Sequence, residues 1–149
     1  MAVAHPHLWQ RWKGAEQLVL LAMFEDSATC HRVKEFCRGL CRDLDGYCKV
    51  TQHLWVASTL CWRELQEIAA EEACASDLIV ISAHQAENMP AEVRHWFDLW
   101  ALQKRTRPAV LLALLDASSE VRAGSMRAYL QEVARRGGME FVVESEPGL

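Results

Sequence analysis

No apolar stretch of this chain reaches the about eighteen residues that a membrane-spanning helix needs. Nor does it contain a G-x-G-x-x-G, a G-x-x-x-x-G-K-[ST] or a C-x-x-C. Dinucleotide binding, P-loop chemistry and zinc sites built on a tight turn therefore have no motif behind them. An excess of positive charge is also missing: the formal net charge is -4 and the pI about 5.9. A general attraction to nucleic acid or to anionic lipid is not expected. Arg32, Lys34, Arg38 and Arg42 share one helical stretch, at spacings that read as its solvated face. The start, Met1 to His7, lacks the charged and apolar blocks of a secretion signal. A cytoplasmic protein with six reduced cysteines is the expectation.

What is present is an alternation. Apolar runs at Leu18 to Phe24, Cys48 to Trp55, Leu78 to Ile81, Val110 to Leu115 and Phe141 to Val143 are separated by four amphipathic helical stretches. The first helix carries Val33, Phe36, Cys37, Leu40, Cys41 and Leu44 at helical spacing and is expected to end at Asp45-Gly46. The second places Trp62, Leu65, Ile68, Ala69 and Ala73 on an inner face. Pro90 opens the third, with Val93, Trp96, Phe97, Trp100 and Ala101 as its apolar stripe. A serine at 118 or 119 is expected to cap the fourth, which carries Met126, Tyr129, Leu130, Val133 and Ala134 and stops at Gly137-Gly138.

Short crossovers between buried strands define βαβ units, and their right-handedness leaves few strand orders. Five strands with four helices predict an α/β fold, a three-layer, doubly wound parallel sheet of order 2-1-3-4-5, flavodoxin-like, with no helix after the last strand. Residues 17–149 form that single domain, and 149 residues suffice to bury about 70% of the unfolded surface. Residues 1–16 form an arm in which Trp9 and Trp12 lie one helical turn apart. It is expected to fold back over the sheet where a final helix is lacking; the rival reading is a partner-binding arm. An uncovered flank near Phe141 to Val143 makes a protein partner or a homodimer the expected association.

The crevice of such a sheet lies between strands one and three. Glu25, Asp26, Ser27 and Thr29 reach it after strand one, Ser82 and His84 after strand three, with Asp116 and Ser118 nearby after strand four. Asp26 or Ser27 also serves as a helix cap, and His84 suits either a loop-supporting hydrogen bond or the work of a base, a ligand or a phosphate contact. Glu25, Asp26 and Asp116 could share a divalent cation, but no spaced ligand motif supports that, and no metal is assigned. Cys30, Cys37 and Cys41 lie on one helix face beside His31, and core packing is their expected role. The same holds for Trp96 and Trp100, with a dimer interface as the alternative.

The order of elements and the acidic pair Glu25-Asp26 resemble a response-regulator receiver domain, over about residues 17–146. In that family the acidic pair holds Mg²⁺ beside an aspartate that is phosphorylated at the end of strand three. Here strand three ends Ile81-Ser82-Ala83-His84, without that aspartate, and strand five ends Val143-Glu144-Ser145-Glu146, without the family's lysine. More closely, Ala75 to His84 with Met89-Pro-Ala-Glu-Val-Arg-His-Trp96 is similar to a group of short bacterial proteins, a resemblance that implies no activity. A flavodoxin is a further comparison, since Ser27 and Thr29 offer hydroxyls at a helix N-terminus. Its loop glycine is missing, no aromatic lies in Ser82 to Asn88, and Trp55 is the only large ring near. The expected function is a non-phosphorylatable receiver-like domain acting through protein contacts. The alternative is a small-molecule or nucleotide-binding protein or enzyme using the crevice, with no cofactor assigned.

Overall fold

A computed structural model describes residue 12 and residues 14–44, 48–84, 89–103, 109–116 and 125–145. In chain order these form β1 (Gln17–Phe24), α1 (Ser27–Asp43), β2 (Lys49–Val56), a 3-10 turn (Ala57–Cys61), α2 (Arg63–Cys74), β3 (Leu78–Ala83), α3 (Ala91–Trp100), β4 (Val110–Leu115), α4 (Met126–Gly137) and β5 (Glu140–Ser145). The five strands make one parallel sheet in the order β2-β1-β3-β4-β5, the flavodoxin-like arrangement the alternation predicts. No helix follows β5 among the described residues.

Strands β3 and β4 are buried at every position, because helices cover both faces of a central parallel strand and leave no place for a polar side. Edge strand β2 has only half-buried and exposed residues instead. At the entry of the sheet Asp77 ties three strands: its amide donates to Val19 O at 2.8 Å, its carboxylate accepts from Val19 N at 3.0 Å, and its carbonyl accepts from Val110 N at 3.0 Å. A carboxylate in that place satisfies a strand-end amide that would otherwise be lost to solvent.

Two apolar layers result. On one face α2, α3 and α4 pack over Leu21, Met23, Ile79, Ile81, Leu111 and Leu115, with Trp96, Phe97 and Trp100 fully buried at ring-centroid separations of 4.8 to 5.5 Å. The tryptophans are thus core, and the interface alternative does not apply to them. On the other face α1 packs Val33, Phe36, Cys37 and Leu40 against Leu20, Ala22, Val80 and Leu112. Trp12 joins this second layer with 7% of its surface exposed, so the described end of the arm packs on its own domain; Trp9 lies outside the described residues. Leu112, Leu114 and Val142 are buried on this face within a single chain.

Three local expectations are corrected. Trp62 and Ile68 do not lie inward but are 66% and 45% exposed. The inner face of α2 is Gln66, Ala69, Ala70 and Ala73, because the Gln66 amide donates to Leu60 O and Glu92 O, both at 3.2 Å, and so bonds the helix to its neighbours. The cap of α4 is Ser125, whose hydroxyl accepts from Ala128 N at 3.2 Å; Ser118 and Ser119 lie outside the described residues. Gly138 ends α4 at a φ of 68°, a left-handed conformation that glycine adopts without strain. The expected stop of α1 at Asp45-Gly46 also lies outside the described residues, and its last helical residue is Asp43. The third correction concerns Arg32.

Candidate functional site

Strand β1 leads through α1 to β2 on one side, and β3 lies on its other side, so the crevice opens at their C-terminal ends. Asp26 caps α1. Its carboxylate accepts from Thr29 N at 2.9 Å, while the Thr29 hydroxyl accepts from Asp26 N at 2.9 Å, a reciprocal capping box. The same hydroxyl accepts from Glu25 N at 2.9 Å. Ser82 is buried and donates through Oγ to Thr29 O at 2.9 Å, which ties the end of β3 to the first turn of α1. Thr29 and Ser82 therefore hold the loops together from buried positions. Ser27 is exposed at the first position of α1.

With those loops fixed, the second carboxylate oxygen of Asp26 meets His84. His84 Nε2 lies 2.8 Å from Asp26 Oδ2, and His84 Nδ1 lies 2.9 Å from Asp116 Oδ2 at the end of β4. Two ionised carboxylates offer only acceptors, so both contacts are hydrogen bonds at once only when the imidazole carries two protons. The bonds to Asp116 and then to Asp26 accordingly raise the His84 pKa above its usual 6.5. The bond from Thr29 N, followed by that from His84, lowers the Asp26 pKa to about 2. Burial pushes the Asp116 carboxyl upward, but the bonds from His84 and Arg32 outweigh it and hold this acid below its usual range.

Arg32 is the residue that sequence spacing misplaced. Its side chain is 10% exposed, not solvated, and its guanidinium donates to Asp116 Oδ1. It reaches Ala83 O at 3.4 Å and Leu114 O at 3.5 Å, carbonyls at the ends of β3 and β4, and lies 3.4 Å from His84 Nδ1. The long stem crosses from α1 to these strand ends along the buried side of the helix. A signal was present: Arg32 lies three residues from buried Thr29 and next to buried Val33, and it sits near the positive end of α1, where a cation is unfavourable without a partner.

Glu25 completes the rim, its Oε2 accepting from His84 N at 3.4 Å. Glu25, Asp26 and His84 offer ligand atoms within 4.8 Å of one another, the one such group among the described residues. A cation there would have to break the Asp26–His84 bond and take the imidazole neutral. Beside Glu25 lies a small apolar cleft of about 20 Å³, lined among others by Phe24, Ala57, Met89 and Pro90. That is smaller than the about 300–1,000 Å³ of most organic-ligand sites. Trp55 does not serve the crevice: its Nε1 donates to Glu72 Oε1 at 2.7 Å on the α2 side. The cysteines stand apart too. None of the six is in a disulfide, and burial with Cys41 nearby pushes the thiol of Cys37 up to about 12, which makes it inert.

The structure thus brings together Glu25, Asp26, His84 and Asp116 of the residues expected from sequence, adds Arg32, and assigns Thr29 and Ser82 to support. Compared with protein families, curated proteins and solved structures, the chain matches none.

Proposed function

We propose that the crevice at the ends of β1, β3 and β4 binds a small polar molecule on His84, with this imidazole as proton donor and acceptor. The observation that carries the reading is the placement of His84 between two carboxylates at the switch point of the sheet. Asp116, itself oriented by Arg32, fixes the ring through Nδ1, and Nε2 points to the outer side, where a ligand hydroxyl or amine would displace Asp26. Glu25, Asp26 and Asp116 outnumber Arg32 and the imidazolium in charge, which disfavours a phosphorylated ligand and favours a neutral or cationic one.

The test is a thermal-shift screen of polyols, amines, sugars, nucleotides, flavins and divalent cations against the wild type and His84→Ala. A ligand that binds the native state raises the melting temperature by a free energy of RT ln(1 + [L]/Kd). A neutral or cationic hit that vanishes in His84→Ala supports the reading. No hit at all, or one indifferent to that substitution, removes it.

A second reading is a receiver-like domain that acts through protein contacts without phosphorylation. What favours it is that Asp26, His84, Asp116 and Arg32 satisfy one another, with an imidazole where a receiver carries its phosphorylated carboxylate. Acetyl phosphate with Mg²⁺ should then add no mass to the protein, and a stoichiometric aspartyl phosphate would defeat it. A signalling role in a bacterial cytoplasm rests on the sequence resemblance alone.

A further inference from the structure

Strand β2 is an edge, and beyond its first residue, Lys49, it carries among the described residues none of the devices that normally keep an edge from pairing. Val50 to Val56 has no charge and no proline, and its eight-residue register with β1 runs from Lys49 to Val56 without a bulge. Lys49 N donates to Glu16 O at 3.1 Å, so the backbone groups of Lys49, Thr51, His53 and Trp55 point to β1. Those of Val50, Gln52 and Leu54 point away from the sheet, and none has a hydrogen-bond partner among the described residues. Val56 O is already taken by the Thr59 hydroxyl at 2.7 Å.

We infer that this edge is the interface of a homodimer, in which β2 pairs antiparallel with β2 of a second copy about a two-fold axis through Gln52. A two-fold normal to the sheet keeps each face on its own side, so directly opposed residues must share a face and the axis must pass through a residue. With the axis at Gln52, Val50 meets the partner's Leu54 and Gln52 meets its own copy. All three outward residues are then matched, by roughly six N–H···O=C bonds. Shifting the axis to His53 would require the occupied Val56 carbonyl, and shifting it to Thr51 would leave Leu54 without a match.

Side chains support the same register. Leu54, 41% exposed in the single chain, is covered by the partner's Val50 on the α1 side. On the α2 side, Lys49 comes opposite the partner's Trp55. The Trp55 indole and His53 Nδ1 hold Glu72 at 2.7 and 3.5 Å, both through Oε1, which keeps this carboxylate beside Trp55, the residue that the incoming lysine comes opposite. The axis repeats this Lys49–Glu72 pair, so charge complementarity selects a second copy in this register as the occupant.

Sedimentation of the full chain tests this under reducing conditions, which keep its six cysteines from forming adventitious disulfides. A dimer is expected in the wild type. Leu54→Lys should weaken it by about tenfold or more, since it sets a charge at the centre of a strand pair. Lys49→Glu and Glu72→Lys should each weaken it, and the two together should restore it, a readout that a folding defect cannot imitate. A wild type that stays monomeric at its highest soluble concentration overturns the inference. So does a dimer indifferent to Leu54→Lys, or one that the double charge exchange does not restore.

Discussion

Replacing Arg32 by Met keeps the aliphatic stem against α1 and removes only the guanidinium. The loss is set by how far the ion pair is withdrawn from water. Exposed pairs contribute about 0–1 kcal/mol, whereas breaking a fully buried one costs roughly 3–5 kcal/mol. Arg32 is 10% exposed but Asp116 is 39% exposed, so the pair lies between these limits and nearer the lower. The contacts to Ala83 O and Leu114 O, at 3.4 and 3.5 Å, are long and add little. Arg32→Met should therefore cost about 1–2 kcal/mol, or roughly 3–6 °C in melting temperature for a domain of this size. Urea denaturation of Arg32→Met, Asp116→Asn and the double variant gives the pairwise part, expected at about 1 kcal/mol because each single change also disturbs His84. A loss below about 0.3 kcal/mol with no coupling would place Arg32 on the solvated face that its spacing suggested, and the cluster would keep only the imidazolium as its cation.

An NMR titration should find the His84 pKa above the usual 6.5 of an imidazole, and Asp116→Asn or Asp26→Asn should each lower it; an unshifted imidazole would contradict the two bonds. The sign of the stability change follows. The raised His84 pKa contributes stability below pH 6.5 that is lost as pH rises through the folded value, and the Asp26 acid, lowered from 3.8 to about 2, contributes above pH 3.8 what is lost on acidification. Stability measured against pH should therefore lose its cluster contribution in both directions from a window between those values, and Asp26→Asn should flatten the acid limb. Val80→Asp, at a fully buried position of β3, should cost several kcal/mol by burying an unpaired charge; a soluble, fully folded variant would contradict the burial. Gly137→Ala should destabilise measurably in thermal melts, because its Cβ would lie 2.6 Å from Ala101 O; an unchanged melting temperature would show that α3 and α4 can separate there.

Sequence alone determined the sheet, and for a stated reason. Leu78 to Ala83 and Val110 to Leu115 are apolar throughout because both faces of a central parallel strand are covered, so composition alone reports burial there. Pro90 and Gly138 mark helix ends because the proline ring fixes φ and glycine alone adopts the left-handed cap without strain. Asp26 and His84 were legible as crevice residues because the strand order follows from crossover handedness, and the order fixes which loops meet. Tertiary structure alone decided the rest. A helical face of small residues cannot say that Gln66 faces inward, since its amide needs carbonyls from the 3-10 turn and α3. Ser125 caps α4 across a connection whose length no periodicity reports. Arg32 reads as a surface cation until the ends of β3 and β4 are set beside α1, because its partners lie 51 to 84 residues away in sequence. The pattern of a chain reports which side of an element is buried; what a long polar side chain reaches depends on distances that only packing creates.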